Sequence, residues 1–248
     1  MGTGAVHAAA GALREDGHSV TSLATSGPGS AGEIARLCVR RGADLVLVAG
    51  GDGTVNEAAN GLVHGSVPLG VLPAGTANIL ANELGLAGPL PAVARQVKDW
   101  IPRRISVGRL TVEGGAVQRY FLMVAGVGLD ATIVAAVDPE VKKVQGKLSF
   151  WLAGLAHVIQ EVREFEVRVG KVTRRAGFAL ASRVRNYGGS FIITREADLL
   201  RDDFAFALFE GRSALRYLGY LGAVLSGTLE RVEGVTFLQG DFREPAML

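Results

Sequence analysis

"LVLVAGGDGTVNEAANGL", Leu45 to Leu62, is the stretch on which the reading of this chain turns. Five apolar residues, Leu45, Val46, Leu47, Val48 and Ala49, have the length and bounds of a strand buried on both faces. Gly50, Gly51 and Gly53 then permit backbone angles and a closeness of approach that side chains forbid. After Thr54, apolar residues fall at Val55, Ala58, Ala59, Leu62 and Val63, the spacing of one helix face. Strand, glycine-rich turn and helix follow in order. A helix N-terminus presents unpaired N–H groups and a positive dipole end, a natural seat for phosphate. A tight turn in any α/β domain has the same local pattern, so this stretch alone leaves both readings open.

Working outward, strands and helices alternate through the first hundred residues. "AVHAAAGALRED" has helical spacing and ends near Gly17, and "HSVTSLAT" reads as a strand. Ser30 and Glu33 have the spacing of a capping box opening the helix "AGEIARLCVRR", which Gly42 stops. A second apolar strand, "VPLGVL" (Val67–Leu72), precedes a helix expected over "TANILANELGL" (Thr76–Leu86). Interleaved strands and helices predict a parallel sheet covered by helices, with ligands at the carboxyl ends of its strands, where both glycine turns lie.

The pattern changes near Pro102. "RRISVGRLTVEGGAVQRYFLMVAGVG" reads as two strands joined at Gly114–Gly115, and Leu148, Leu152, Leu155, Ile159 and Val162 mark one face of a helix. "EFEVRVGKVTRRAGFALASRV", "SFIIT" and "FAFALF" are strand-like, with a short helix around "ALRYLGYLGAVL". The expected fold class is an α/β N-terminal domain with a parallel sheet over residues 1–100, followed by a β-rich, antiparallel, sandwich-like domain over residues 101–248.

Composition narrows the function. In 248 residues, 48% hydrophobic and 20% charged, there is enough apolar side chain for a sizeable core and no sign of disorder. A net charge of +2 does not call for a nucleic-acid partner. Cys38 is the only cysteine, which excludes a disulfide framework; its neighbours Ile34, Leu37 and Val39 suit a packed thiol. The four histidines lack metal-ligand spacing, and no segment approaches ~18 apolar residues. A cytoplasmic chain without a transmembrane segment is expected.

The second turn repeats the logic of the first: Gly75 loosens the backbone, Thr76 can cap a helix or bond phosphate, and Asn78 is expected on the first helical turn. "GGDGTVNE" together with "PAGTAN" and "NELGL" resembles the soluble lipid kinases, the diacylglycerol kinases, sphingosine kinases and their bacterial relatives. The likeness continues through "AGVGLDA" (Ala125–Ala131), "KVQGKLSF", "NYGG" (Asn186–Gly189) and "EADLLRDDF". It implies a nucleotide-binding α/β domain, a β-rich second domain, an active site between them, and transfer of the γ-phosphoryl of ATP to a lipid hydroxyl, with diacylglycerol the first substrate to consider.

By that resemblance Gly50, Gly51, Gly53 and Thr54 approach the phosphates, and Gly75, Thr76 and Asn78 form the second wall of the nucleotide site. Asp52, an acid beside a polyanion, would hold Mg²⁺. Glu57, read as lying on the first turn of its helix, either completes the site or complements the dipole. The acid that orients or deprotonates the lipid hydroxyl falls on Asp202 or Asp203, since Asp203 stands where the family's Asp-Gly motif has glycine. Asp130 supports the second domain or touches substrate. Lys142, Lys143 and Lys147 either favour an anionic lipid surface or form a solvated face.

Two departures accompany the match. Ser106 stands where the family carries an aspartate. The family's first strand with its Asn-Pro-x-x-Gly turn, and its Asp-Gly-Glu with the closing strands, are expected to be missing from this chain. Three readings stay open at this point: a lipid kinase meeting its substrate by peripheral contact at a membrane surface, a nucleotide- or lipid-binding pseudokinase, and an NAD kinase. The second motif speaks for the lipid branch. A homodimer is left open.

Overall fold

The computed structural model describes residues 3–112, 118–129, 162–188 and 191–241. Gly114–Gly115, Asp130, the three lysines at 142, 143 and 147, and the amphipathic segment up to residue 161 lie outside the described residues. The chain forms two compact units, Met1–Leu122 and Met123–Leu248.

In the first unit, helices α1 (Thr3–Glu15) and α2 (Ser30–Arg40) precede strand β1 (Val46–Gly50) and helix α3 (Asp52–Leu62). Strand β2 (Leu69–Pro73) is followed by the short helices α4 (Ile79–Glu83) and α5 (Leu90–Ala94). β1 and β2 pair in parallel, from Val46 opposite Leu69 to Gly50 opposite Pro73. Ala9, Ala12 and Leu13 of α1 bury against Leu72, Leu90, Val93 and Ala94, which sets α1 and α5 beside β2. Val55, Ala58, Ala59 and Leu62, the apolar face read from the sequence, are all buried.

Helices α2 and α3 cross almost backbone to backbone. A Cβ on Gly61 would lie 2.3 Å from the Gly32 carbonyl oxygen, and one on Gly32 would lie 2.9 Å from that of Glu57. The same α3 also recruits the hairpin of β3 (Gly108–Thr111) and β4 (Gln118–Phe121). Asn56 and Asn60, one turn apart, both donate to the Tyr120 carbonyl (3.2 and 2.8 Å). Their own carbonyls accept from Leu122 N–H (3.1 Å) and Tyr120 N–H (2.9 Å) respectively. Two asparagine amides thus give β4 the pairing that a neighbouring strand would supply. This hairpin was expected beyond a boundary at residue 100; it falls within the first compact unit.

Local readings differ from the structure in three places. Residues 18–25 are not a strand and lie largely exposed, because β1 and β2 pair with each other and no described strand offers 18–25 a ladder. Ser30 is the first residue of α2 rather than its cap: its hydroxyl donates to the Gly27 carbonyl (2.5 Å) and accepts from Ser26 and Gly27 N–H, while Gly29 in left-handed conformation (φ 84°) turns the chain. The helix expected over Thr76–Leu86 shrinks to Ile79–Glu83.

The second unit is antiparallel, as its alternating pattern suggests. Strands β5 (Val124–Gly128), β8 (Phe178–Ser182), β11 (Asp203–Phe209) and β12 (Val235–Asp241) form a four-stranded sheet in the order β12-β11-β8-β5. Two hairpins accompany it, β6 (Phe165–Val169) with β7 (Val172–Ala176), and β9 (Asn186–Tyr187) with β10 (Phe191–Ile192). Every residue of β8 is buried, as befits an interior strand. Helix α6 (Ala214–Ser226) packs Tyr217, Tyr220 and Ala223 against Phe178, Leu180 and Phe209. The Tyr217 hydroxyl donates to the Phe209 carbonyl (3.1 Å) and that of Tyr220 to Glu210 (2.8 Å), so both rings are buried without stranding their oxygens.

The α2–α3 contact carries a stability prediction. Gly61→Ala forces backbone apart and should cost about 1–3 kcal/mol. Gly11→Ala meets no atom within 4 Å on α1 and should stabilise by about 0.5–1 kcal/mol through helix propensity. Denaturant melts of both variants check this; equal effects would remove the close crossing from the stability of the unit.

Candidate functional site

The parallel register ends β1 and β2 at the same level, so the turns that follow them are neighbours. The Ala74 N–H donates to the Gly50 carbonyl (3.1 Å), extending the ladder one step past the strands. Beyond that step Gly51 and Gly75 touch: a Cβ on Gly75 would stand 2.4 Å from the Gly51 Cα. Gly75 has no room for a side chain here, and a Cβ on Gly51 would sit tightly, 3.2 Å from the Gly75 Cα.

Gly51 is extended (φ −87°, ψ 177°) and α3 starts at Asp52, two residues earlier than the apolar face suggests. The first intrahelical bond runs from Val55 N–H to the Gly51 carbonyl (3.0 Å). The N–H groups of the turn before it belong to Asp52, Gly53 and Thr54, and they point out of the helix end. Nothing lies within 4 Å of the place a Gly53 Cβ would occupy, whereas the Thr54 side chain lies over Gly50. Glu57 is the sixth residue of α3, beyond the first turn on which it was expected.

Asn78 does not project from a helix. It sits in left-handed conformation (φ 50°) ahead of α4 and folds its amide back on Gly75. Gly75 N–H donates to Asn78 Oδ1 (2.7 Å), and Asn78 Nδ2 donates to the Gly75 carbonyl (2.9 Å). The side chain closes the turn as a strand partner would, which holds Gly75 against Gly51. Thr76 lies within this turn and is exposed.

Asp52 links the two turns. Its Oδ1 accepts from Leu80 N–H at the start of α4 (3.4 Å), across 28 residues of sequence. Burial pushes its carboxyl above the usual carboxylate range, and the backbone amides at the start of α4, Leu80 foremost, pull it back only in part. Among the described residues no group of three or more His, Cys, Asp or Glu is placed to hold a metal.

In the second unit, Asp202 and Asp203 stand where the chain enters β11. Asp202 is exposed; Asp203 is half-buried and its carboxylate forms an ion pair with Arg201. One residue without a sequence signal organises this entry. Arg183, fully buried, sends its guanidinium to the carbonyls of Leu199 (2.8 Å), Arg201 (2.6 Å) and Asp203 (2.7 Å). Nothing in "ASRVRNYGG" marks it out from its neighbours Arg185 and Arg175. Asn56 and Asn60, also passed over in the sequence, do carry a signal that could have found them, a polar pair four residues apart on one helix.

No described helix is long and apolar enough to cross a membrane. Residues 2–110 match the family model of the diacylglycerol kinase catalytic domain. The chain is 31% identical over 200 residues to a diacylglycerol kinase of Mycobacterium tuberculosis, covering 78% of this chain and 64% of that one. A diacylglycerol kinase of Bacillus subtilis is 31% identical over 160 residues, covering 63% and 50%. The chain therefore spans less than two thirds of these curated relatives. The fold is similar to the crystal structure of a diacylglycerol kinase from Bacillus anthracis, with a TM-score of 0.70 at 19% identity over 96% of this chain and 78% of that one. The glycine turns after β1 and β2 lie inside the matched segment, so it is residues 2–110 that are similar to the diacylglycerol kinase catalytic domain.

Proposed function

We propose that this chain is the phosphoryl-transfer part of an ATP-dependent lipid kinase, with diacylglycerol as its substrate. The observation that carries the reading is the contact of Gly51 with Gly75 beside an unobstructed helix start. The N–H groups of Asp52, Gly53 and Thr54 supply donors for phosphate oxygens, and the space over Gly53 admits them closely. Gly50, Gly75, Thr76 and Asn78 shape the wall of that seat, and Glu57, one turn deeper in α3, lies behind it.

Mg²⁺ fits this donor set, since it takes one or two carboxylate oxygens and otherwise phosphates and water. Asp52 is the residue that would hold it, and bound there the ion neutralises charge on the transferring phosphoryl group. The chain's own groups do the rest. The backbone amides of α3 orient the nucleotide. The lipid oxygen forms a bond to the γ-phosphorus as the bond to the ADP oxygen breaks, and the hydroxyl proton passes to a carboxylate. We assign that role to Asp202, which aligns best with the acid of the Asp-Gly motif and is exposed at the entry to β11. The lipid acceptor brings the protein to a membrane surface from the cytoplasm by peripheral contact.

Three outcomes test this. Gly53→Ala fills open space and should leave melting unchanged or raise it, while ATP binds about tenfold more weakly, a loss of about 1.4 kcal/mol; unaltered ATP affinity removes the phosphates from this turn.

Asp52 has a pH signature. A carboxyl raised by burial holds its proton more tightly in the folded chain than in the unfolded one, so it adds stability as pH falls and subtracts it as pH rises. Asp52→Asn should therefore gain stability relative to wild type as pH rises above the ordinary carboxylate range, and should lose Mg²⁺-supported turnover. Melting curves of both proteins across that range settle it; a constant difference would refute the assigned burial cost.

Asp202→Asn should lower kcat on a lipid panel by about 10²–10⁴ with ATP affinity unaltered, whereas Asp203→Asn stays within about tenfold of wild type. The reverse pattern moves the base to Asp203. Transfer to NAD rather than to lipid, in the same radiolabelled assay, would overturn the lipid reading.

A further inference from the structure

The ladder between β8 and β11 ends where Ser182 faces Ala205. One residue past that end, Arg183 leaves the sheet with its backbone fixed: its N–H donates to the Met123 carbonyl (2.7 Å). The following residue is fixed as well. Ser182 and Thr194 hydroxyls both donate to the Val184 carbonyl (2.6 and 2.8 Å), and Val184 N–H donates to Ser182 Oγ (3.3 Å). From this anchored base the guanidinium reaches the carbonyls of Leu199, Arg201 and Asp203, spaced two apart along the segment that leads into β11.

At its far end Asp203 is held opposite Asp241 in the β11–β12 register and pairs with Arg201; before it the shaping bonds are short-range. Leu200 N–H donates to Asp198 Oδ1 (2.8 Å) and Arg201 N–H to the Asp198 carbonyl (3.2 Å), a small turn whose remaining carbonyls face inward on Arg183. Only a planar fork with several N–H groups in fixed directions can serve three carbonyls at once; an ammonium has the charge without the geometry. Asp198, Asp202 and Asp203 surround the cation and favour its charge against the burial that opposes it. Each alternate carbonyl points to the guanidinium, so the residue between Arg201 and Asp203 is set by the two contacts that flank it. That residue is Asp202.

We propose that Arg183 is a positioning residue that sets the course of Leu199–Asp203 and thereby the direction in which Asp202 meets the phosphoryl acceptor. The proposal rests on the lipid-kinase reading and deepens it: catalytic alignment depends on a buried cation that touches neither substrate.

The test uses Arg183→Lys, which keeps the charge and loses the fork, and Arg183→Met, which loses both, in the full-length protein. Hydrogen exchange should show the Leu200 and Arg201 amides losing protection in Arg183→Lys while the amides of β8 and β11 keep theirs. On diacylglycerol vesicles kcat should fall by about 10²-fold, the scale of a misplaced reacting group, with lipid KM and ATP affinity within about twofold of wild type. Arg183→Met should fall further, and its kcat–pH profile should shift relative to that of wild type, which a general loss of folded protein would not produce. Wild-type turnover that survives Arg183→Lys, or protection of Leu200 and Arg201 that persists in it, overturns the positioning role alone. A wild-type protein inactive on every lipid overturns the kinase reading and the catalytic half of this proposal with it. If Arg183→Lys does not fold cooperatively, loss of turnover in wild type on adding Asp202→Asn, with the exchange of Leu200 unchanged, separates the acid from its support; retained turnover there overturns the proposal.

Discussion

The first unit depends on one register. Gly50 faces Pro73 in a parallel pair, and a parallel pair sends both chains out at the same edge. Two turns leaving side by side within the width of one strand spacing have room for backbone and for little else. Gly51 against Gly75 is the consequence, and a side chain on Gly75 would displace the turns. Every other feature of the seat follows from that contact. Asn78 closes the second turn on Gly75, α3 begins early enough to put three N–H groups beside the contact, and Asp52 reaches over to α4.

Asp52 shows how such a site trades stability for readiness. Its carboxyl is partly buried, and burial disfavours the charged form. The amides at the start of α4 recover part of that cost but not all of it. A cation arriving with phosphate oxygens would complete the compensation, so a carboxylate whose charge the fold by itself disfavours suits a role in binding. At the α2–α3 crossing small residues serve another end, since Gly32 and Gly61 let two helix backbones meet.

The second unit meets an analogous problem with a different device. A strand ladder stops at Ser182, and the chain opposite must still be led into β11. In the first unit two asparagine amides stand in for strand backbone beside β4; here one guanidinium does so for three carbonyls. Side-chain donors extend backbone order past the end of regular structure in both places. Buried carbonyls must be paired, and where no strand arrives a side chain is the remaining donor inside the fold.

The strand–glycine–helix units, the apolar faces of α1 and α3, and the change from alternating α/β to antiparallel β were all legible in the sequence. They rest on local periodicity, which a chain carries whatever it packs against. Gly50, Gly51, Gly53 and Gly75 were legible as turn glycines following β1 and β2, while their use was left open between a phosphate seat and a plain tight turn. What tertiary structure alone decided was partnership. "HSVTSLAT" has strand propensity but no described ladder to join, Ser30 has a cap's identity but lies inside the helix, and Thr76 and Asn78 belong to a turn held by Gly75 rather than to α4. Arg183 had no signature, since its three acceptors lie 16 to 20 residues away and are backbone atoms, which every residue possesses. Periodicity is written in side-chain order, whereas a buried donor's partners are chosen by what the folded chain brings within reach.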